Sequence, residues 1–247
     1  MIDIWQESFP MRFWDVDKTD RLTLSGTFDF FQEVAIAHAE HLGVGREALE
    51  RTGQAWILSR MSVMLERRPR LGEPIKVRTW PRGAEKLFAV RDYDIRDESD
   101  IPVVKGRSGW VVLDVAKKRP LRPQSVMENM PKNEGIDSLP DGARGLDVIE
   151  GLSKKTERNA AYSDIDYNGH VNNARYVQWI QDILDPELLY AARQMRLDIN
   201  YISEILPGET SEIWAGPAGD KPDTIAVEGR HQDSGLVAFR AELWTGA

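Results

Sequence analysis

Between Tyr162 and Tyr176 the chain reads YSDIDYNGHVNNARY, which packs two Asp, three Asn and one His into fifteen residues just ahead of an apolar-periodic stretch. The start of a helix presents unsatisfied N–H groups and the positive end of the helix dipole. A carboxylate, an amide and an imidazole gathered there can orient a carbonyl, donate to a developing oxyanion and activate a water. Asp166, Asn168 and His170 are the candidates for that chemistry, and Asn172 or Asn173 is the candidate cap of the helix that follows. The same residue types are the commonest cap and turn formers, so composition alone leaves a purely structural loop open. For a metal centre, His170 and Asp166 offer only two ligands, and no second His shares a helix face with them. His38 and His41 are three residues apart, but His38 falls on an apolar stripe and is expected in a core. His231 lies in a polar late strand and receives no role.

Two helices are expected. In the first, from about Ser25 to Leu42, Phe28, Phe31, Val34, Ala35, His38 and Leu42 recur at steps of three and four. Ser25 or Thr27 can cap it and Gly43 can end it. The second runs from about Asn172 to Leu184 with Val177, Ile180, Ile183 and Leu184 as its stripe, and Pro186 lies just beyond. Strand-like segments follow each helix: 55–66, 75–80, 87–95, 103–115 and 119–122 after the first, and 194–203, 210–215, 223–231 and 235–245 after the second. Residues 123–155 are rich in Pro, Gly, Asn and Asp and read as a linker between an N-terminal domain at 1–122 and a C-terminal domain at 156–247.

The halves also match one another. A shift of 149 lays Phe13-Trp14-Asp15-Val16-Asp17 on Tyr162-Ser163-Asp164-Ile165-Asp166, and Phe28, Phe31, Val34 and Ala35 on Val177, Ile180, Ile183 and Leu184. A shift of 136 lays Val63, Leu65, Gly72, Glu73 and Val77 on Ile199, Tyr201, Gly208, Glu209 and Ile213. The difference is one loop indel, so the chain reads as a tandem duplication. Each copy is a strand, a long helix and then an antiparallel sheet, an α+β fold in which the sheet wraps the helix. Where copy two has Asn168 and His170, copy one has Thr19 and Arg21. Chemistry is therefore expected in copy two.

Among 247 residues there are 32 basic and 40 acidic side chains, a formal charge of −8, and no cysteine. The missing thiol excludes a disulfide framework, a Cys-based zinc site and a cysteine nucleophile. No apolar run approaches the ~18 residues of a membrane-spanning helix. The opening MIDIWQESFPMRFWDVD matches neither a secretory signal nor an Arg-rich transit peptide, so a cytoplasmic address is expected. Residues 60–122 carry 16 basic against 9 acidic side chains, including Arg67, Arg68, Arg70, Lys76, Arg78, Arg82, Lys86, Lys117, Lys118, Arg119 and Arg122. These form either solvated strand edges or a docking face for an acidic partner. A negative total and the absence of any nucleic-acid motif argue against nucleic acid.

The run SDIDYNGHVNNARYVQWI resembles the active-site signature of the acyl-acyl-carrier-protein thioesterases of plant plastids and their bacterial relatives, through Asp166, Asn168, His170, Val171, Asn172 and Asn173. RFWDVDKTDRLTLSGTFDFFQEVAIAH, WILSRMSVMLERRPRLGEPIKVRTWP and SGWVVLDVAKKRPLRP extend the likeness over about residues 9–245. The resemblance implies two tandem hotdog domains, hydrolysis of acyl-ACP to free fatty acid and holo-ACP, and no cofactor or metal. The family also uses a Glu after the second helix, often followed by Cys; NYISEILPGE places Glu204 in that role, with Ile205 where the Cys commonly sits. The expected partner is an acidic acyl carrier protein bearing its acyl chain on 4'-phosphopantetheine. A membrane partner is not expected, and a second copy of the chain, as a homodimer, is a further candidate.

The mechanism expected has Asp166 as base for water or as direct nucleophile, Asn168 positioning the carbonyl or the water, and His170 bonding the water or departing thiol. Glu204 orients His170, and backbone N–H groups from Val171 to Asn173 form an oxyanion hole. By resemblance, the acyl chain lies in the first domain along Phe28, Phe31, Val34, Trp56, Leu58, Met61, Val63 and Trp110, residues that taken one by one fit a plain core better. Other readings are an acyl-CoA thioesterase of the same fold, or a non-hydrolytic acyl-binding or hydratase-like hotdog.

Overall fold

Copy one starts with β1 (Trp5–Pro10) and a single 3-10 turn at Phe13–Asp15, and then enters α1 (Leu24–His41) and α2 (Arg46–Glu50). Strands β2 (Gln54–Leu65), β3 (Pro74–Glu85), β4 (Phe88–Arg96), β5 (Pro102–Asp114) and β6 (Arg119–Leu121) follow, and then α3 (Gln124–Met127). Copy two repeats the plan as β7 (Ser153–Asn159), a 3-10 turn at Tyr162–Asp164, α4 (Asn173–Asp182), α5 (Pro186–Ala191), β8 (Gln194–Tyr201), β9 (Thr210–Pro217), β10 (Thr224–His231) and β11 (Val237–Gly246). The computed structural model describes residues 3–128 and 130–246.

The strands form one antiparallel sheet in the order β1-β3-β4-β5-β2-β8-β11-β10-β9-β7, with β6 on β5. Read outward from the centre, β2-β5-β4-β3-β1 and β8-β11-β10-β9-β7 are the same list in the two copies. The copies join where β2 pairs with β8, with Met61 opposite Ile199, Val63 opposite Leu197 and Leu65 opposite Met195. All six side chains are buried, so the junction is continuous core.

Each helix lies on its sheet because its apolar stripe needs cover. Phe28, Phe31 and Val34 of α1 and Val177 and Ile180 of α4 are buried in one contiguous core with Val63, Leu65, Leu197 and Ile199. Phe31 stacks on Tyr93 at 4.7 Å, over Gly106, where a Cβ would lie 2.6 Å from the ring. The helices also meet each other. Gln32 of α1 accepts the Asn172 side-chain amide at 3.0 Å, and Gln181 of α4 accepts the Ser25 N–H at 2.8 Å. Gln32 and Gln181 are related by the shift of 149.

Several boundaries move. Thr23, not Ser25 or Thr27, caps α1 by accepting the Gly26 N–H, because the Val16–Leu22 bridge has already turned the chain into the helix. Asn172 caps α4 by accepting the Ala174 N–H at 2.8 Å. Within 123–155 the chain forms α3 and the first residues of β7. It also straps the outer face of the sheet: Trp80 Nε1–H donates to Ile136 O at 2.9 Å, and Arg144 pairs with buried Asp198.

His38 is buried as expected. Its Nδ1 lies 3.1 Å from Arg91 Nη1, and Trp5 stacks on its ring. Burial, and then the Arg91 charge, push its pKa down to about 4. Burial pushes the Asp198 carboxyl up, but hydrogen bonds from Arg144, Arg196 and Ser62 outweigh it and hold Asp198 below the usual range. Both groups are depressed in the folded chain, so the unfolded chain binds more protons as pH falls. Tm is expected to be level above about pH 6.5 and to fall from there towards pH 4 as His38 resists protonation. It falls again below about pH 3.9 as Asp198 does. His38→Gln removes the first decline; a Tm flat from pH 6.5 to 4 in the wild type contradicts this assignment.

Candidate active site

The turn after each 3-10 segment is built identically. In copy one the Asp17 N–H donates to Arg21 O at 2.9 Å, the Asp20 N–H donates to Asp17 O at 3.0 Å, and Asp17 Oδ1 accepts the Thr19 N–H at 2.8 Å. In copy two the Asp166 N–H donates to His170 O at 3.0 Å, the Gly169 N–H donates to Asp166 O at 3.0 Å, and Asp166 Oδ1 accepts the Asn168 N–H at 2.8 Å. The fourth turn residue has positive φ in both, Asp20 at 61° and Gly169 at 85°. The next backbone contact also repeats: the Leu22 N–H donates to Pro69 O at 2.8 Å, and the Val171 N–H donates to Ile205 O at 2.9 Å. Pro69 and Ile205 are thus equivalent, and so are Arg68 and Glu204.

What differs is the charge facing the aspartate. The Arg68 guanidinium grips Asp17, and it also donates to Leu22 O at 2.8 Å and Leu189 O at 2.9 Å. The two side chains are 2% and 11% exposed. Burial pushes the Asp17 carboxyl up, but Thr19 and Arg68 bind it more strongly and hold it below the usual range. Copy one is a neutralised, closed version of the turn. In copy two a carboxylate, Glu204, replaces the guanidinium, and among the described residues the hydrogen-bond donors to the Asp166 carboxylate are amides, with the Arg46 charge nearby but not paired with it. Asn168 Nδ2 stands at 3.4 Å and Asn172 Nδ2 at 3.5 Å from Asp166 Oδ2. Asp166 is half-buried, with no ion-pair partner among the described residues.

Removing one member of a buried ion pair strands the other. Arg68→Met is expected to lower stability by about 3–5 kcal/mol. For a chain of this size that is a Tm drop of roughly 6–20 °C. A drop under about 2 °C, read by thermal denaturation, contradicts this role for the pair.

The structure brings Asp166, Asn168 and Asn172 into direct contact. His170 is half-buried in the same turn, with Nδ1 3.3 Å from Val171 O. Glu204 is exposed on the adjoining segment, and no hydrogen bond joins it to His170 among the described residues. Burial pushes the Tyr176 hydroxyl up, and the charges of Glu204, Asp166 and Glu209 add to the shift; the phenol oxygen accepts the Ile205 N–H at 3.3 Å. Tyr176 and Gln32 are neighbours that sequence reasoning missed. The one signal for Tyr176 was a polar tip four residues before Ile180 on the buried face of α4.

The oxyanion donors need a correction. The Val171 N–H is taken by Ile205 O, and the Asn172 N–H by Asp164 O at 2.8 Å, since both belong to the bridge that aims the chain into α4. Of the three groups expected, only the Asn173 N–H has no acceptor among the described residues. The acyl-lining candidates Phe28, Phe31, Val34, Leu58, Met61 and Val63 are buried in the core, with Trp56 and Trp110 half-buried beside them. A chain threading among them must push these side chains apart. Two shallow concavities lie elsewhere, one lined by Arg158, Asp164, Arg175 and Trp179, the other by Lys86, Leu87, Arg122 and Gln124.

Two family models cover most of the sequence: the acyl-ACP thioesterase N-terminal domain matches residues 3–130 and the C-terminal domain matches 150–236. The chain belongs to the acyl-ACP thioesterase family. An acyl-[acyl-carrier-protein] hydrolase, FATB2, of Cuphea viscosissima is 24% identical over 214 residues, covering 81% of this chain and 52% of that protein. The oleoyl-acyl carrier protein thioesterase 1 of Arabidopsis thaliana is 24% identical over 263 residues, 93% of this chain and 69% of its own. The chain spans about half the length of the first of these relatives. A crystal structure of an acyl-ACP thioesterase from Bacteroides thetaiotaomicron superposes with a TM-score of 0.83 at 25% identity, covering 98% of both chains. The 12:0-ACP thioesterase of Umbellularia californica, 17% identical, shares the fold with a TM-score of 0.81. The tandem hotdog architecture of the acyl-ACP thioesterases is therefore the architecture of this chain.

Proposed function

We propose that this protein hydrolyses the thioester of an acyl-acyl carrier protein, releasing a free fatty acid and holo-ACP. The observation that carries the reading is the exchange of Arg68 for Glu204 beside two turns that share one backbone hydrogen-bond pattern, which leaves Asp166 without an ion-pair partner among the described residues. Residues 156–247 supply the chemistry. Residues 1–122 take the acyl chain along α1, β2 and β5, and 123–155 connect them.

A thiolate leaves readily, so modest activation suffices. Asp166 accepts the proton of the attacking water, or attacks the carbonyl carbon itself to give an acyl anhydride that water then opens. The C–S bond breaks and the sulfur leaves as a thiol with the proton returned to it. Asn168 orients the carbonyl or the water, and His170 bonds the water or the departing sulfur. Glu204 stands where copy one places a side chain that reaches the aspartate, and it orients His170. The Asn173 N–H and the Asn168 amide are the donors left for the oxyanion. Each CH₂ buried in the first half contributes ~0.8 kcal/mol, so the depth available there sets chain-length preference.

The carrier surface is smaller than the count over 60–122 suggested. Arg68 and Arg107 are buried in ion pairs, and Arg67, Lys76, Arg78, Arg82, Arg96, Lys105 and Lys117 each face an acid of the chain itself. Lys86 and Arg122 share a concavity, and exposed Lys118 and Arg119 lie on the neighbouring β5–β6 hairpin. An acidic carrier docks there. Raising salt is expected to raise KM for acyl-ACP more than for a neutral short-chain thioester. Equal salt dependence on the two substrates removes this surface from the account. Thiol release from acyl-ACPs of graded length, with acyl-CoAs alongside, tests the function itself. Release from acyl-ACP supports it, and release from acyl-CoA alone makes the protein an acyl-CoA thioesterase instead.

A further inference from the structure

Three strand ends of copy two meet beyond the Asp166 turn. Ser203 follows β8, His231 ends β10, and Glu209 precedes β9. Backbone bonds fix all three: the Ser203 N–H donates to Ala238 O at 3.0 Å, the His231 N–H to Leu236 O at 2.8 Å, and the Ala160 N–H to Glu209 O at 2.8 Å. Ser203 Oγ lies 2.9 Å from His231 Nε2, and also 3.3 Å from Val237 O. On the other side of the ring, His231 Nδ1 lies 3.6 Å from Glu209 Oε2. That same oxygen accepts the Leu206 N–H at 2.9 Å, which holds the carboxylate in place. The imidazole is mostly shielded, while Ser203 is exposed.

A hydroxyl hydrogen-bonded to an imidazole whose far nitrogen faces a carboxylate is the arrangement that makes a serine nucleophilic. The carboxylate favours the tautomer with the proton on Nδ1 and leaves Nε2 free to take the serine proton. In such sites the N–H of the residue after the nucleophile commonly serves the oxyanion. Here that is the Glu204 N–H, which has no acceptor among the described residues. The sequence hid the group because its members are 203, 209 and 231, spread over three strand ends with no motif joining them.

We propose that Ser203, His231 and Glu209 form a second acyl-transfer site, with Ser203 as nucleophile towards activated esters or thioesters. Ser203 Oγ attacks the carbonyl carbon while its proton passes to His231 Nε2. The bond to the leaving oxygen or sulfur breaks, the leaving group takes that proton, and the acyl group is left on Ser203. Water then attacks the acyl-serine with His231 again as base, which releases the acid and restores the hydroxyl. The site uses no side chain of Asp166, Asn168, His170 or Glu204, sharing only the Glu204 backbone N–H with that region, and stands or falls independently of the function proposed above.

A fluorophosphonate tests it directly on the full chain. Attack by Ser203 joins oxygen to phosphorus and expels fluoride, leaving a permanent adduct. One adduct per chain is expected, mapped by peptide mass spectrometry to Ser203 in the wild type and missing from Ser203→Ala. His231→Ala is expected to slow labelling by about 10²-fold or more, and added imidazole to restore part of the rate. No adduct, an adduct on another residue, or a His231→Ala chain labelled at the wild-type rate overturns the proposal. Mapping on the wild type keeps the test decisive even if a variant folds poorly.

Discussion

Asp166→Asn is expected to lower kcat for thiol release from acyl-ACP by about 10²–10⁴ while leaving the fold intact. The size follows from the role: the proton of the attacking water must go to a positioned base, and an amide cannot take it. The fold survives because the contacts that shape the turn are kept. The Asp166 N–H still reaches His170 O, the Gly169 N–H still reaches Asp166 O, and an asparagine Oδ1 still accepts the Asn168 N–H. The Asn172 cap of α4 bonds Ala174 and Gln32 without needing the charge. The measurement is single-turnover thiol release with circular dichroism alongside. Near-full activity in a folded Asp166→Asn chain contradicts the role.

Glu204→Arg is expected to abolish activity by a different route. Copy one demonstrates that a guanidinium at this position reaches the aspartate of the turn and closes it. An arginine beside Asp166 pairs with its carboxylate, as Arg68 does with Asp17, and occupies the space a water needs. Loss of kcat by about 10²-fold or more is expected, with Tm held or raised because a new ion pair forms. Glu204→Gln, which removes the carboxylate without inserting a cation, is expected to cost less activity. If the two variants lose equally, the lock seen in copy one does not transfer, and Glu204 matters only through its own charge.

The duplication was legible because it is written in local pattern. The 3-10 turns, the caps Thr23 and Asn172 and the bridges at Leu22 and Val171 all obey the shift of 149. Helix spacing and β-rich runs located α1, α4 and the central strands for the same reason. The leading strand of each copy is expected from the repeat, but its bounds are not legible, because β1 and β7 are the outermost strands of the sheet and SKKTERN shows a solvated face with little apolar alternation. The candidate site was half visible. Asp166, Asn168, His170 and Asn172 are contiguous, so their grouping could be read directly. The Arg68–Asp17 lock joins residues 51 apart, and the Ser203–His231 contact spans 28, so only the folded chain exposes them. The oxyanion expectation failed for a related reason. A helix start leaves N–H groups free in general, but here the bridge to Ile205 and the contact with Asp164 had already claimed two of them.

The central claim is that two turns of one shape differ in chemistry because only one keeps a free aspartate. It is tested most directly by kcat for thiol release from acyl-ACP in Asp17→Asn and Asp166→Asn, measured side by side per folded molecule. The account predicts that Asp17→Asn lowers Tm but keeps kcat within a few-fold of wild type, whereas Asp166→Asn keeps Tm and loses about 10²–10⁴ in kcat. Equal losses in the two variants, or the larger loss at Asp17, would contradict it.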